Sequence, residues 1–429
     1  MSAIGFLVLL VIAIIALMLL MTKAKLNPVM SLFVVALGFG VTLGIFGTEG
    51  YSFMETLTLI TTGFGNTLGS LGMPIILGAV LAMGVQDTGA AKSIANFFIR
   101  LFRGKNLELA PSLTAFVVSI PVFGYITTIL CSNIANVLGK RKHISMSTMA
   151  SFTQTGLNLT HAMVPPTPGI LAVSVALSAD LGMVISWGIV ITVITFFLTW
   201  LILKRWTAKE WIPAVPAVTA EIKETSSDEV SDLIIKDKDL PNTFASFLTI
   251  LIPVILIAGG SFVGMLIPES TPDDAMVRTL VAIASDKVVA LSMGVIYTMF
   301  LAMFHKKSVR KSNTDSTGKD PESFREVVLN SWIARGMEVA LIALLVTAMG
   351  GGFSQVIKTF PGINDLALLI QDSGVPGLLI PFLVGAIMMT AVGSMTTAGV
   401  TAVGVVAPMM DLLGLEPVST ALAIGAGTL

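Results

Sequence analysis

Residues 160–171 have the sequence THAMVPPTPGIL, in which three prolines occupy four positions of an otherwise apolar part of the chain. Proline has no backbone N–H and its ring clashes with the preceding turn, so a regular helix cannot pass through this stretch. The flanking segments SMSTMASFTQTGLN and AVSVALSADLG are almost uncharged and are predicted to be helical. The sequence therefore predicts a broken helix over about residues 145–178, with Pro165, Pro166 and Pro168 at the break. The alternative is that the prolines only kink one continuous helix.

The composition is that of a polytopic membrane protein. Of the 429 residues, 54% are hydrophobic and 12% are charged, whereas a soluble domain carries about 25% charged residues. The lipid bilayer is therefore the expected surrounding, and a net charge of −1 gives no reason to expect a nucleic acid partner. The N-terminal segment lacks a basic n-region and a cleavage site, so it predicts a first spanning helix and not a signal peptide.

Cysteine and histidine usage gives no sign of a metal site. The single cysteine, Cys131, lies in an apolar segment, which excludes a disulfide framework. His143, His161 and His305 are widely separated and lack the spacing of metal ligands. We therefore expect no metal and no cofactor.

Apolar segments long enough to cross a bilayer, about 20 residues each, occur along the whole chain. The clear candidates are residues 4–22, 27–47, 69–86, 181–203, 246–267, 287–304 and 337–355. Basic residues cluster at Lys23 and Lys25, Arg100–Lys105, Lys140–Lys142, Lys204–Lys209 and Lys306–Arg310. Because Lys- and Arg-rich loops face the cytoplasm, all five clusters are predicted to be inside and the N-terminus outside.

The segment between Lys105 and Lys140 has basic residues at both ends and Glu108 as its only charged side chain. If both ends are cytoplasmic, the segment enters the membrane and returns. Its centre is PVFG, Pro121 to Gly124, and legs of about 15 residues reach roughly 22 Å, less than the ~30 Å hydrocarbon core. We predict a re-entrant helical hairpin over about residues 106–139. The alternative is a full span with a proline kink.

The two halves of the chain resemble each other. LGMPIILGAVLAMG (71–84) resembles RGMEVALIALLVTAMG (335–350), and Gly124-x-x-Thr127-Thr128 matches Gly393-x-x-Thr396-Thr397 at offsets of 266 to 272. The first copy is predicted to run inward and the second outward, as in the inverted repeats of secondary transporters. A second hairpin is predicted over about residues 373–410, with Gly393 near its tip, followed by the start of a second broken helix.

The predicted organisation follows from this repeat. The first half comprises residues 1–204, a charged cytoplasmic linker comprises 205–243, and the second half comprises 244–429 with a cytoplasmic loop over 305–324. The fold class is an all-α polytopic membrane protein with two inverted-topology repeats, each with a re-entrant hairpin and a broken transmembrane helix. The hairpins and breaks would form a mobile, elevator-type unit that carries solute against a scaffold made by the first helices of each half.

Polar, uncharged side chains gather at the hairpin tips and the break. Non-helical backbone at membrane depth is tolerated only where protein or a water-filled cavity satisfies it, and bared helix N-termini favour an anion. Hydroxyl groups and carboxylates of a solute suit these groups, although a threonine can also bond its own helix. The candidate substrate-binding residues are Thr127, Thr128, Ser132, Asn133, Asn158, Thr160, His161, Thr167, Gly169, Gly393, Ser394, Thr396 and Thr397.

Coupling to a cation has three candidate residues, His161, Thr128 and Thr397. An unperturbed pKa of ~6.5 would let a histidine carry a proton near neutrality, and a structural hydrogen bond is the alternative role. The acidic residues nearest the apolar segments have simpler interpretations. Asp87 and Asp180 are predicted to cap helices, and Glu338 to form a surface ion pair with Arg335.

Three blocks resemble the gluconate permease family, the gluconate:proton symporters of the ion transporter superfamily. They are GFGNTLGSLGMPIILGAVLAMGVQDTGAAKSIA, THAMVPPTPGILAVSVALSADLG and GSMTTAGVTAVGVVAPMMDLLGLEPVSTALAIGAGTL. The resemblance implies proton-coupled import of a sugar acid, such as gluconate, or a related hydroxycarboxylate across the cytoplasmic membrane of a bacterium. Position by position it implicates His161, Pro165, Pro166, Gly169, Gly393, Ser394 and Thr396.

Three departures from the family pattern bear on function. Thr167 stands where the family has a second histidine, and Tyr125 and its neighbours provide no acidic residue at the first hairpin tip. The alternatives are therefore a sodium-coupled symporter of an organic acid or polar amino acid, or an inorganic ion antiporter of the superfamily. Because the family pattern continues past the position of Leu429, we expect the chain to continue as well.

Other classes of function fit the sequence less well. A channel needs a continuous pore lined by rings of carbonyls or charges, and an intramembrane enzyme needs a motif such as H-E-x-x-H. The sequence therefore predicts a multi-pass transporter that is not an enzyme. Its expected partners are a small organic anion, a proton or sodium ion, and possible association as a homodimer.

Overall fold

The computed structural model describes residues 3–102, 105–122, 124–207, 209–214, 239–268, 272, 275–318, 320, 323–362, 376–410 and 413–429. Every regular element within these residues is helical. The chain divides into two compact units: unit 1 comprises Met1–Ile75, Pro168–Val184 and Val339–Leu429, and unit 2 comprises Ile76–Thr167 and Ile185–Glu338. Each unit therefore contains parts of both sequence halves.

Seven helices are long and apolar enough to cross a membrane, and they confirm the seven predicted spans. They are α1 (Ala3–Thr22), α2 (Pro28–Ile45), α3 (Phe53–Asp87), α9 (Leu181–Thr207), α10 (Thr243–Leu266), α12 (Lys287–Phe304) and α14 (Phe324–Lys358). The remaining helices are α4 (Ala90–Leu101), α5 (Leu109–Val118), α6 (Gly124–Lys142), α7 (Met146–Met163), α8 (Pro168–Ala176), α11 (Met276–Ser285), α13 (Lys306–Thr317), α15 (Leu379–Val392), α16 (Met395–Val406) and α17 (Pro417–Gly427).

The helices α3 and α14 are much longer than predicted, at 35 residues each. The glycines that obscured them in the sequence are contact points between helices. In unit 1, a Cβ atom placed on Gly63 of α3 would lie 2.4 Å from the carbonyl oxygen of Gly351 in α14. In unit 2, a Cβ atom on Gly336 would lie 3.0 Å from the backbone nitrogen of Val80. Helix propensity predicted a break where close packing instead requires glycine.

In unit 1, aromatic side chains join α1, α2 and α14. The ring of Phe6 stacks on Phe360 with centroids 4.0 Å apart, and Phe39 meets Phe353 edge-on at 5.8 Å. The buried Tyr51 hydroxyl donates to the carbonyl oxygen of Val356 at 2.9 Å, near the end of α14.

In unit 2, the short helices α5 and α6 both pack against α7. Phe116 of α5 also meets Phe196 of α9, with ring centroids 5.7 Å apart. A second link joins the same helices, since Glu108 accepts a 2.9 Å ion pair from Lys204. The sequence had marked Glu108 only as an isolated charge.

Asp87 does not cap a helix, contrary to the prediction. It is the last residue of α3, where the helix presents carbonyl groups that a carboxylate cannot cap. The side chain is fully buried, and Trp332 Nε1 and Arg335 Nη1 each donate to its Oδ2 at 2.8 Å. Ser312 donates to Oδ1 at 2.9 Å. The ion-pair partner of Arg335 is therefore Asp87, whereas the sequence had suggested Glu338.

Asp180 does cap a helix, as predicted, because its carboxylate accepts a 2.7 Å hydrogen bond from the Met183 N–H at the start of α9. The predicted loop over residues 305–324 instead contains α13. Val309 and Asn313 lie one turn apart on the buried face of α13, and Gly318 ends it with a φ of 69°. Most of the predicted linker, residues 208 and 215–238, lies outside the described residues.

Candidate functional site

The predicted break at the three prolines is confirmed. Helix α7 ends at Met163, Val164 adopts an extended conformation, and α8 begins at Pro168. The fully buried Thr167 hydroxyl donates to the carbonyl oxygen of Val164 at 2.8 Å, which satisfies one of the groups freed by the break. The chain passes from unit 2 to unit 1 between Thr167 and Pro168.

The break predicted between the hairpin legs is also present, since α5 ends at Val118 and α6 begins at Gly124. Pro121 is buried in the connecting turn, and Phe123 lies outside the described residues. The turn is fastened to α7 by hydrogen bonds of two buried hydroxyls. Thr160 donates to the Phe116 carbonyl at 2.8 Å, and Ser119 donates to the Leu157 carbonyl at 3.2 Å. Entry of this pair of helices into the bilayer stays a prediction.

Several candidate residues use their polar atoms within the protein. The Thr128 hydroxyl donates to the Gly124 carbonyl at 2.8 Å and the Ser132 hydroxyl to the Ile129 carbonyl at 3.0 Å, both within α6. Ser132 and Asn133 are exposed, and Asn158 is half-buried. The local bonding that the sequence left open as an alternative is thus observed for Thr128 and Ser132, and Thr160 serves to hold the turn.

Thr127 and His161 differ from these residues. The Thr127 hydroxyl oxygen and the His161 Nδ1 atom are buried and have no hydrogen-bond partner among the described residues. The imidazole lies against the start of α6, where a Cβ atom on Gly124 would be 3.8 Å from both Cδ2 and Cε1. A buried polar atom without a partner costs about 1–3 kcal/mol.

In unit 1, the N-termini of α8 and α16 meet. A Cβ atom on Gly169, in the first turn of α8, would lie 3.1 Å from the Cα atom of Thr396, in the first turn of α16. Ser394 is the N-cap residue of α16, but its side chain accepts no hydrogen bond from the helix backbone. The Thr397 hydroxyl donates to Ser394 Oγ at 3.3 Å. Gly169, Ser394, Thr396 and Thr397 are therefore brought together.

The two matched glycines have different backbone conformations. Gly393 ends α15 with a φ of 68°, in the left-handed region, and that conformation favours glycine. Gly124 instead lies inside α6 as its first residue. The sequence match therefore aligned the hairpin tips two residues out of register with the helix starts.

Comparison with known families identifies the chain. Residues 6–429 match the profile described as GntP family permease. The chain belongs to this family. The GntP-family permease is 26% identical over 422 residues to the high-affinity gluconate transporter of Escherichia coli strain K12, a match that covers 98% of this chain and 88% of the relative. It is therefore a multi-pass membrane transporter and not an enzyme, as the resemblance implied.

Other relatives of the permease match over similar lengths. The gluconate permease of Pseudomonas aeruginosa PAO1 is 28% identical over 420 residues, with 97% of this chain and 86% of the relative covered. The Gnt-II system L-idonate transporter of E. coli K12 is 26% identical over 412 residues, with 96% and 85% covered. Among solved structures, the YdaH transporter of Alcanivorax borkumensis matches with a TM-score of 0.49 and 16% identity, covering 94% of this chain and 87% of that one.

Proposed function

We propose that this GntP-family permease is a secondary active symporter that imports a sugar acid, such as gluconate or a related hydroxycarboxylate, across the cytoplasmic membrane of a bacterium. The observation that carries the proposal is the meeting of the α8 and α16 N-termini in unit 1. The names of the gluconate and idonate transporters among its relatives support the class of substrate.

The meeting of two helix N-termini favours a bound carboxylate. The first N–H groups of a helix have no partner within it, and each N-terminus carries roughly half a positive charge. Two such ends repel each other unless an anion lies between them, and backbone N–H groups are suitable donors to it. The hydroxyls of Ser394 and Thr396 lie at the same ends of the helices. A carboxylate could therefore bind here without an arginine or lysine.

Inverted repeats are part of the proposal, and the helix boundaries support them. The helices α3 and α14 both have 35 residues and begin 271 residues apart. Each starts with Ser-Phe-x-Glu, in which Ser52 accepts a hydrogen bond from the Glu55 N–H and Ser323 accepts one from the Glu326 N–H. The helices α6 and α16 also begin 271 residues apart, as do α7 and α17.

The same contact between helices recurs in both halves. In unit 2, a Cβ atom on Gly156 of α7 would lie 2.2 Å from the carbonyl oxygen of Ser112 in α5. In unit 1, a Cβ atom on Gly427 of α17 would lie 2.1 Å from the carbonyl oxygen of Phe382 in α15. The paired positions are again 270 to 271 residues apart. This supports two copies of one packing pattern, with α5–α6 and α15–α16 as the proposed hairpins of an elevator-type carrier.

The offset refines the proposed halves without changing their order. The first half, residues 1–204, would contain the hairpin over 106–139, and the second, residues 244–429, the hairpin over 373–410. Residues 373–375 of the second hairpin lie outside the described residues. The binding of solute between the two hairpin tips, and association of the permease as a homodimer, stay predictions.

The carboxylate site predicts a specific loss of affinity. Thr396→Val keeps the shape of the side chain but removes a hydroxyl beside Gly169, and the lost hydrogen bond to a charged group should weaken gluconate binding by about tenfold or more. Uptake of labelled gluconate into proteoliposomes measures this change. Thr390→Val is the matched control, because the Thr390 hydroxyl is bonded to the Ala386 carbonyl within α15. Equal affinities in the two variants would remove Thr396 from the site.

Coupling is tested separately from binding. We expect an imposed inward proton gradient to drive gluconate uptake into proteoliposomes in the absence of sodium. The expectation rests on the proton symport that family resemblance implies. Uptake driven by a sodium gradient alone, with no response to the pH difference, would favour the sodium-coupled alternative.

A further inference from the structure

The hydroxyl groups around the first break of unit 2 fall into two groups. Most of the buried ones donate to a carbonyl oxygen at 2.5 to 3.2 Å, namely those of Ser112, Thr114, Ser119, Thr153 and Thr160. Thr127 is as fully buried as Thr160, yet its hydroxyl has no partner, and the buried Nδ1 of His161 has none either. Both residues belong to the contact between α6 and α7, one helical turn or less from Gly124.

The surroundings of these two atoms contain no charge. Helix α5 has no ionisable side chain, α7 has none besides His161, and the charges of α6 begin at Lys140, four turns from Thr127. Leu157 lies beside Gly124 on the same contact, where a Cβ atom would be 3.3 Å from Cδ2. An ion would lack a counter-charge here. A neutral group that both donates and accepts a hydrogen bond would satisfy a threonine hydroxyl and an imidazole nitrogen together.

We infer that Thr127 and His161 form a subsite for hydroxyl groups of the transported acid. The inference rests on the proposed function and deepens it, because it assigns the carboxylate and the hydroxyls to different residues. A site built to hydrogen-bond a hydroxyl discriminates strongly against an analogue without it, since its own polar atoms then stay unpaired. Thr127 and His161 therefore select polyhydroxylated acids over unsubstituted carboxylates of the same length.

The test measures discrimination as well as affinity. Wild-type permease and the variants Thr127→Val and His161→Phe are reconstituted in proteoliposomes, with labelled gluconate as substrate and hexanoate as a competitor that has no hydroxyl groups on its chain. Each substitution is expected to weaken gluconate affinity about tenfold and to leave inhibition by hexanoate unchanged. Thr127→Ser and His161→Asn restore a polar atom at each position and should recover most of the affinity.

Two further measurements separate a ligand-binding role from a structural one. Thr114→Val is the control, because the Thr114 hydroxyl is equally buried but is bonded to the Ala110 carbonyl of its own helix. It should not change the preference for gluconate over hexanoate. Thr127→Val removes an unpartnered hydroxyl, so the melting temperature of the variant without substrate should stay equal or rise, whereas a structural hydroxyl would cause it to fall.

The outcomes distinguish the inference from the proposed function. Gluconate uptake by the wild type, with unchanged gluconate preference in both Thr127→Val and His161→Phe, would overturn the subsite and leave the proposed function standing. A fall in melting temperature together with equal losses for both acids would also overturn it. No gluconate uptake by the wild type would overturn the proposed function and the subsite with it.

Discussion

Replacing Arg335 with methionine is expected to lower the free energy of unfolding of the permease by about 3–5 kcal/mol. The reason is the buried carboxylate that the substitution leaves behind. Asp87 is fully buried and accepts a 2.8 Å ion pair from Arg335, whose side chain is 15% exposed. Trp332 and Ser312 would still donate to Asp87, but neutral donors do not compensate a buried charge. Melting of purified Arg335→Met in detergent measures the loss.

Two controls separate this effect from a general loss of arginine. Arg310→Met removes a residue whose 3.6 Å ion pair with Asp320 is largely exposed, and such pairs contribute only about 0–1 kcal/mol. In the double variant Asp87→Asn with Arg335→Met, the uncompensated charge is gone, so much of the stability should return. If Arg335→Met melted like Arg310→Met, the buried pair would not be needed for stability.

Substituting valine for Gly156 or Gly427 is expected to have the second-largest effect. In each case the added Cβ atom would lie 2.1 to 2.2 Å from a backbone carbonyl oxygen of the neighbouring helix. A backbone oxygen cannot rotate away as a side chain can, so the helices must separate. We expect each substitution to cost about 1–3 kcal/mol, the range for overpacking of a well-packed contact, and to reduce the yield of folded permease.

The matched control for these glycines is Gly65, which also lies inside a helix. A Cβ atom placed on Gly65 of α3 meets no atom within 4 Å. Gly65→Ala should therefore stabilise the permease by about 0.5–1 kcal/mol through helix propensity. Equal melting temperatures for Gly156→Val, Gly427→Val and Gly65→Ala would contradict the close contacts and the shared packing pattern drawn from them.

The predictions that succeeded depend on local chemistry. A spanning helix needs only a long apolar run, and a proline breaks a helix wherever it stands, so the seven spans and the break at Pro165–Pro168 follow from neighbouring residues alone. The cap at Asp180 is equally local, since its acceptor lies three residues from its donor. Family membership also followed from short motifs spread along the chain.

The predictions that failed depend on residues far apart in the chain. Asp87 looked like a cap because its partners, Trp332 and Arg335, are about 250 positions away. The first part of α3 looked too rich in glycine for a helix because the backbone of α14, which Gly63 contacts, is not visible in the local sequence. The same limit applied to Thr127 and Thr128, which are adjacent and alike in sequence but differ in hydrogen bonding.

By itself, the sequence determined that the chain spans a membrane, where its helices break and which family it belongs to, because apolar length, proline and motif residues act locally. Only the tertiary structure decided which polar atoms remain unpaired and which helix ends meet, such as those at Gly169 and Thr396. The physical reason is that a hydrogen bond or a close approach belongs to two partners, and the position of the second partner is fixed only by packing.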